Sequence, residues 1–414
     1  MLPSSLTYDS LLSNFVSSCQ IKARVFTDGS EGIRQGNGKF RAFLKGQVTD
    51  RYFFCFYDPD TLTIKDFGAY HTGGGWERLR EVRFTFPERL TMSITLAIDR
   101  YDRLMPFHDG TVETPTGLDL KVMQVGQEGQ LREGAHRHER MLQNGEFDAA
   151  EVSLSSYVAG CARGLPFTAI PVFPRRLFSV GQVFVSTRSS VSHPRELANG
   201  RIGLQSFQTT LAVLAKGDMA TEYGLDLASV RWLTRSAETV EITGGPSFHV
   251  ERLNPALGLV EALVQGEVDA IFYSRTPWRD PDPTLPVRRL FADPAAEESR
   301  YYARNGYWPI MHLIVLKTAA VERNPELPVQ LMSAFGSAHR IADSYIDDPG
   351  WSRLAWTKYT REREVQALGA GLWPLGVAAN RANLERFIGY SFEQGIIDRR
   401  IGVEELFHAS VHKT

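Results

Sequence analysis

The chain has 414 residues, 43% hydrophobic and 23% charged, with a net charge of −2, a size that exceeds one hydrophobic core and predicts two or three domains. A near-neutral balance with no basic face or charged tail excludes a nucleic-acid protein. Cys19, Cys55 and Cys161 are too scattered for a disulfide framework or a zinc site, and no apolar run reaches the ~18 residues of a membrane-spanning helix.

The N-terminal residues lack the basic-then-apolar order of a secretory signal, so a cytoplasmic protein is expected. Residues 1–91 hold an aromatic run at 52–57 and the stretch Gly73-Gly74-Gly75, with no amphipathic helix of useful length. Two readings stand open for this segment. It is either a small β-rich appendage of uncertain structure, or translation starts at Met92, where the sequence opens directly on a buried strand.

From Met92 strands and helices alternate. Residues 94–98 and 118–125 read as strands, joined by a loop with Pro106, Gly110, Pro115 and Gly117. Residues 132–143 read as a polar amphipathic helix, and 149–154, 168–173 and 183–187 as strands. His193-Pro194 opens a helix. Residues 201–205 form a strand, and Ser206-Phe207-Gln208-Thr209-Thr210 starts a long helix reaching Tyr223. A strand at 230–234, a helix at 256–265 and strands at 270–273 and 312–317 follow, and 319–414 is mostly helical. This βαβα rhythm predicts α/β architecture with mainly parallel sheets.

One internal echo stands out. Residues 141–153 and 263–274 each run from a helix end through a glycine stop (Gly145, Gly266) and an acidic-apolar-Asp turn (Asp148, Asp269) into a buried strand. Two lobes of similar design explain it. The expected division is an extension over 1–91, a first lobe over 92–185 plus 275–414, and a second over 186–274. Ligands of open α/β sheets sit beyond the carboxyl ends of the strands, so both echo strands should deliver their following residues to an interlobe cleft.

Several segments then resemble the 4,5-dihydroxyphthalate decarboxylase family: Leu154-Ser155-Ser156-Tyr157, the stretches 166–173 and 306–312, Trp373-Pro374-Leu375-Gly376-Val377 with Asn380-Arg381, and 393–395 through 404–407. The resemblance runs in order over 92–408 and omits 1–91. It implies a two-lobed fold like that of type 2 periplasmic binding proteins. It also implies a cytoplasmic enzyme converting 4,5-dihydroxyphthalate to protocatechuate; the leading expectation from the residues is a site that is cofactor-free or at most metal-assisted. It transfers no catalytic residues. Fold does not fix function, so a solute-binding protein or sensor for a small aromatic or other organic acid is the alternative.

Such a decarboxylation needs a proton for the ring carbon, a polar partner for the hydroxyls and a cationic clamp for the retained carboxylate. His312, entering the second crossing between lobes, is the expected proton donor; the plainer reading is a buried structural histidine. Arg175 and Arg176 end a predicted strand, and Arg100 and Arg275 follow others; a guanidinium matches a carboxylate bidentately, though each also suits a surface ion pair. The turn of Ser206, Phe207, Gln208, Thr209 and Thr210 offers exposed N–H groups to an anion or is simple capping. Ser155, Ser156 and Tyr157 suit catechol hydroxyls or a strand-to-helix turn, and Tyr273 stands beside Arg275. Asp99 and Asp102 flank Arg100-Tyr101 to hold the arginine or accept a phenol proton, or serve only the loop.

No metal-ligand spacing is present: His136 and His138 are two apart and face different sides of a helix. A divalent ion on Glu151, an aspartate and a histidine is the alternative to a cofactor-free site. Gly73-Gly74-Gly75 lacks a phosphate loop's lysine, and neither Gly-x-Ser-x-Gly nor HExxH occurs. The expected partner is a small aromatic carboxylate, with no nucleic acid or membrane; a homo-oligomer is left open.

Overall fold

The structure is a computed structural model, and it describes residues 92–244 and 248–414 in full, with the backbone of 42–48, 51–58, 63–71 and 75–79. It divides into two compact units, Met1–Thr91 and Met92–Thr414. In the first, strands β1 (Ala42–Val48), β2 (Arg51–Asp58), β3 (Thr63–His71) and β4 (Gly75–Leu79) form an antiparallel meander in sequence order.

The second unit holds two sheets. One has the order β6-β5-β7-β15-β8, from β5 (Met92–Ile98), β6 (Leu118–Gln124), β7 (Ala149–Ser153), β8 (Phe167–Arg176) and β15 (Ile310–Lys317). The other has the order β12-β11-β10-β13-β9-β14, from β9 (Val183–Ser186), β10 (Arg201–Leu204), β11 (Arg231–Thr234), β12 (His249–Arg252), β13 (Ala270–Phe272) and β14 (Val287–Arg289). Helices connect the strands: α1 (Arg137–Leu142), α2 (Leu154–Ala162), α3 (Thr210–Tyr223), α4 (Leu259–Gln265) and α5 (Pro294–Asn305). The C-terminal part adds α6 (Thr318–Arg323), α7 (Leu327–Tyr345), α8 (Thr357–Leu368) and α9 (Arg381–Glu393). No helix among the described residues is long and apolar enough to cross a membrane.

The two-lobed α/β architecture read from the sequence is present, but the sheets are mixed rather than mainly parallel. β5 pairs in parallel with β6 and β7, and β10 with β11 and β13. A strand returning from the other lobe enters its sheet the opposite way. Thus β15 runs antiparallel to β7 and β8, and β9 antiparallel to β13 and β14. Because β14 pairs with β9, the second sheet extends from Val183 to Arg289, and the chain crosses between lobes at 177–182 and 290–309.

The helix expected at 132–143 is shorter, Arg137–Leu142, because Gly134 and His136 take positive φ values of 108° and 61°. A non-glycine residue in the left-handed region interrupts a helix. The turn it makes starts α1 at Arg137, a side chain with no exposed surface.

Both crossings are tied to α3. Its Asp218 is fully buried and accepts hydrogen bonds from Ser179 Oγ (2.6 Å) on the first crossing, and from Tyr390 OH (3.1 Å) and Tyr301 OH (3.3 Å). Tyr301 lies on α5 in the second crossing, so one carboxyl joins the two connections to the C-terminal helix α9.

Candidate active site

β7 is buried at all five positions, although its sequence is Ala-Ala-Glu-Val-Ser. An ionisable side chain in such a strand must find partners within the fold. Glu151 finds four: His312 Nδ1 at 2.5 Å, Tyr101 OH at 3.1 Å, Asp99 N at 3.2 Å and Arg137 Nη2 at 3.1 Å. Arg137 is also held by the Glu151 carbonyl (2.9 Å), the Val125 carbonyl and Asp99 Oδ2 (3.3 Å). The sequence reading weighs Glu151 only as a metal donor; the signal for its role is a lone charge inside an otherwise apolar strand.

Burial works to raise the Glu151 carboxyl, but the Arg137 charge and the His312 hydrogen bond hold it far below the usual carboxylate range. Burial pushes His312 down to about 4, outweighing the opposing pull of Glu151. Burial and the His312 ring likewise push His138 well down; its Nε2 has no partner, and its ring meets His312 edge to face at 4.8 Å. Burial raises the Tyr101 hydroxyl far above its usual value. At neutral pH the cluster is therefore an ionised Glu151 and Arg137 beside neutral imidazoles.

Strand register extends this cluster. His312 pairs with Ser153 on β7, so these two side chains share one sheet face with Glu151. On its other side it pairs with Arg175 of β8 at a break in the strand register, close enough for the Arg175 charge to act on the ring. Ser153 and Arg175 lie at the carboxyl ends of their strands, where a ligand is expected. A cavity of about 250 Å³ opens there, lined by Asp99, Gln127 and Glu128 with Arg175 from the first lobe, and by Ser274 and Arg275 from the second. Arg175 Nη2 donates to the Ser274 carbonyl at 3.2 Å, and Arg275 pairs with Glu128 at 3.0 Å.

The other candidates fall elsewhere. Arg176 points to the opposite face from Arg175 and is sealed in the first lobe, donating to the carbonyls of Trp308 (2.8 Å) and Pro374 (3.2 Å) and to Asn380 Oδ1 (2.6 Å). It is a structural residue, not a ligand clamp. Asp102 is 57% exposed and pairs with Arg103 (3.1 Å), so the aspartate at the cavity is Asp99. Arg100 is exposed and outside the cavity lining, and Tyr273 packs on the second lobe's own core.

Ser155, Ser156 and Tyr157 form the first turn of α2 rather than a loop, all buried. Tyr157 OH donates to the Leu406 carbonyl at 2.5 Å, which makes it a core residue. Ser155 Oγ is buried without a partner, and its N–H donates to Thr210 Oγ1 (3.1 Å). The turn before α3 does bind a carboxylate, but an internal one: Phe207 N and Gln208 N donate to the two oxygens of Glu238, each at 2.9 Å. The Gln208 side chain clasps the Val240 backbone (2.7 and 3.1 Å). Thr210 Oγ1 meets Ser153 Oγ at 2.8 Å, and Thr209 Oγ1 turns back to the Ser206 carbonyl (3.3 Å). Among the described residues no group of three or more His, Cys, Asp or Glu side chains is placed to hold a metal ion.

A curated 4,5-dihydroxyphthalate decarboxylase from Comamonas testosteroni is 28% identical over 329 residues, 77% of this chain and 96% of that protein. The chain is related to the 4,5-dihydroxyphthalate decarboxylases. A second protein of that name, from Pseudomonas putida, is 26% identical over 223 residues, 52% of this chain and 83% of its own. No family model matches. Among solved structures, the sulfonate-binding protein SsuA from Methylobacillus flagellatus aligns at 12% identity over 77% of this chain and 92% of its own, with a TM-score of 0.45. The desulfurization enzyme DSZB aligns at 16% identity over 76% and 96%, with a TM-score of 0.43. The decarboxylase-like segments have visible structural work: Pro374 and Asn380 hold Arg176, while Trp373 stacks under the Arg103 guanidinium at 3.9 Å.

Proposed function

We propose that this chain is a cytoplasmic carboxy-lyase that removes one carboxylate from a hydroxylated aromatic dicarboxylate, with 4,5-dihydroxyphthalate giving protocatechuate as the first substrate to test. The observation that carries the reading is the buried Glu151–His312 pair, whose cross-strand neighbour Arg175 lines a cavity bearing one arginine from each lobe. The names of the related proteins support the same chemistry.

Two arginines suit two ring carboxylates, one retained and one leaving. His312, neutral at pH 7, is better matched to accept a proton than to donate one. In this scheme the hydroxyl para to the leaving carboxylate gives its proton to His312, and the freed electron pair moves through the ring to the carbon bearing that carboxylate. That carbon takes a proton from water. The carbon–carboxylate bond then breaks, its electron pair restores the aromatic phenolate, and CO2 departs. The imidazolium returns its proton to the phenolate, and the hydroxide left by water combines with CO2 as bicarbonate. No cofactor enters this balance. Closure of the lobes around the ring would exclude bulk water.

The test is incubation of the purified protein with 4,5-dihydroxyphthalate, following protocatechuate and CO2. Intact substrate removes the specific assignment. Binding of hydroxylated phthalates without turnover of any of them replaces the enzyme by a solute-binding protein.

A further inference from the structure

The contacts of Glu151 decide which nitrogen of His312 is free to react. An ionised carboxylate only accepts hydrogen bonds. Two other donors, the Tyr101 hydroxyl and the Asp99 amide, and the paired charge of the Arg137 guanidinium surround Glu151. Together they keep it ionised, so the ring nitrogen it meets at 2.5 Å carries hydrogen. Nε2 of His312 has no hydrogen-bond partner among the described residues, and the side chain keeps 8% exposure at the cleft end of β15. We infer that Glu151 is a positioning residue that fixes His312 as the Nδ1–H tautomer and presents unprotonated Nε2 to the substrate's ring hydroxyl. This rests on the decarboxylase reading for the hydroxyl, though the tautomer itself does not depend on it.

The arrangement resembles the way a carboxylate behind an imidazole sets its tautomer in other active sites. The charged and titratable groups acting on the His312 ring agree. Glu151 holds Nδ1–H, Arg175 and Arg137 disfavour a second proton, and His138 presents a neutral ring edge. Lysine or arginine, acting as donors only, would not give this polarity at the Glu151 position. Aspartate is shorter by one methylene and would reach His312 less well.

The test uses the full-length protein labelled with ¹⁵N-histidine. Long-range proton–nitrogen correlation spectra at pH 7 show which ring nitrogens are protonated, with His312 assigned by its absence from His312→Asn. Hydrogen on Nδ1 alone is expected in the wild type, and Glu151→Gln should bring in the Nε2–H form, because an amide offers either polarity. In turnover of 4,5-dihydroxyphthalate, Glu151→Gln should lower kcat by about 10²-fold with little change in KM, and Glu151→Asp should recover part of it. The acid limb of kcat/KM should also move to lower pH in Glu151→Gln, since loss of the carboxylate makes imidazole protonation harder. A wild-type Nε2–H tautomer, or an imidazolium at pH 7, overturns the inference with no variant needed, as does full turnover by Glu151→Gln. Wild-type Nδ1–H without turnover of any hydroxylated phthalate upholds the tautomer and removes the decarboxylase reading instead.

Discussion

Asp148 in one lobe and Asp269 in the other perform the same task. Each sits just before a buried strand and accepts the backbone N–H of the neighbouring parallel strand: Thr95 on β5 at 3.0 Å, and Arg201 on β10 at 2.8 Å. Asp148 also takes the Thr95 hydroxyl (2.9 Å) and Arg323 (2.8 Å), while Asp269 takes the Arg201 guanidinium (2.9 Å). In both, burial raises the carboxyl, and these hydrogen bonds reverse it to a net lowering. A lowered carboxyl stabilises the fold above its ordinary range and stops doing so as pH falls through its depressed value. Asp148→Ala should therefore cost about 1–3 kcal/mol at pH 7 in urea unfolding, and less of it at pH 3. An unchanged midpoint at pH 7 would refute the role.

The lobe design was legible because it rests on local signals. Gly145 and Gly266 take the left-handed φ values of 57° and 80° that end the helices, and each Asp follows at a fixed offset. β12 and β14 were missed for the same reason: His249–Arg252 is exposed at every position and Val287–Arg289 is three residues long, so neither carries a hydrophobic period. The site was legible in part. His312, Arg175 and Arg275 reach the cluster or the cavity, because strand ends could be placed from the pattern. The companions of Glu151 could not be, since Tyr101, Arg137 and His312 lie 50, 14 and 161 residues away along the chain. Tyr157 and Arg176 were misjudged because residue type says nothing of which face a helix or strand turns to the cleft. Alternation alone allows only one of two adjacent arginines to face it.

Arg175 and Arg176 should accordingly separate in the laboratory. Arg175→Lys keeps the charge but loses the planar fork, so aromatic dicarboxylate binding should weaken about tenfold while the melting temperature holds. Arg176→Ala leaves Asn380 Oδ1 and the Trp308 and Pro374 carbonyls without their buried donor, and should cost roughly 3 kcal/mol of stability. His312→Asn should still bind ligand but lose turnover. Calorimetric titration with thermal melts checks all three, and equal loss of binding in both arginine variants would contradict the assignment.

Tyr157→Phe removes only the hydroxyl bonded to the Leu406 carbonyl. A buried carbonyl left without its partner should cost about 1–2 kcal/mol, with ligand affinity and turnover kept. A rise in KM with no loss of stability would return Tyr157 to the cleft.

The buried acids at the crossings predict a pH dependence of the hinge. Burial raises Asp218 to about 7, against the hydrogen bonds of Ser179 and Tyr390 and the charge of Arg386 at 3.8 Å, with Glu222 adding to the rise. Burial likewise raises Glu298, beside Arg289 and the Gly181 amide, to about 7. Unfolded carboxyls titrate near 4. Between there and about 7 the folded chain retains protons that the unfolded chain has released, so stability falls as pH rises through that window. His312, held near 4, has the opposite slope, because the unfolded imidazole binds a proton that the folded one refuses. The comparison must therefore be between variant and wild type. Asp218→Asn keeps a neutral group of the same shape and removes the penalty of ionising it. Its stability relative to wild type should rise from pH 5 to pH 8 in urea unfolding, and a difference that stays constant over that range would show that Asp218 does not take up its proton there.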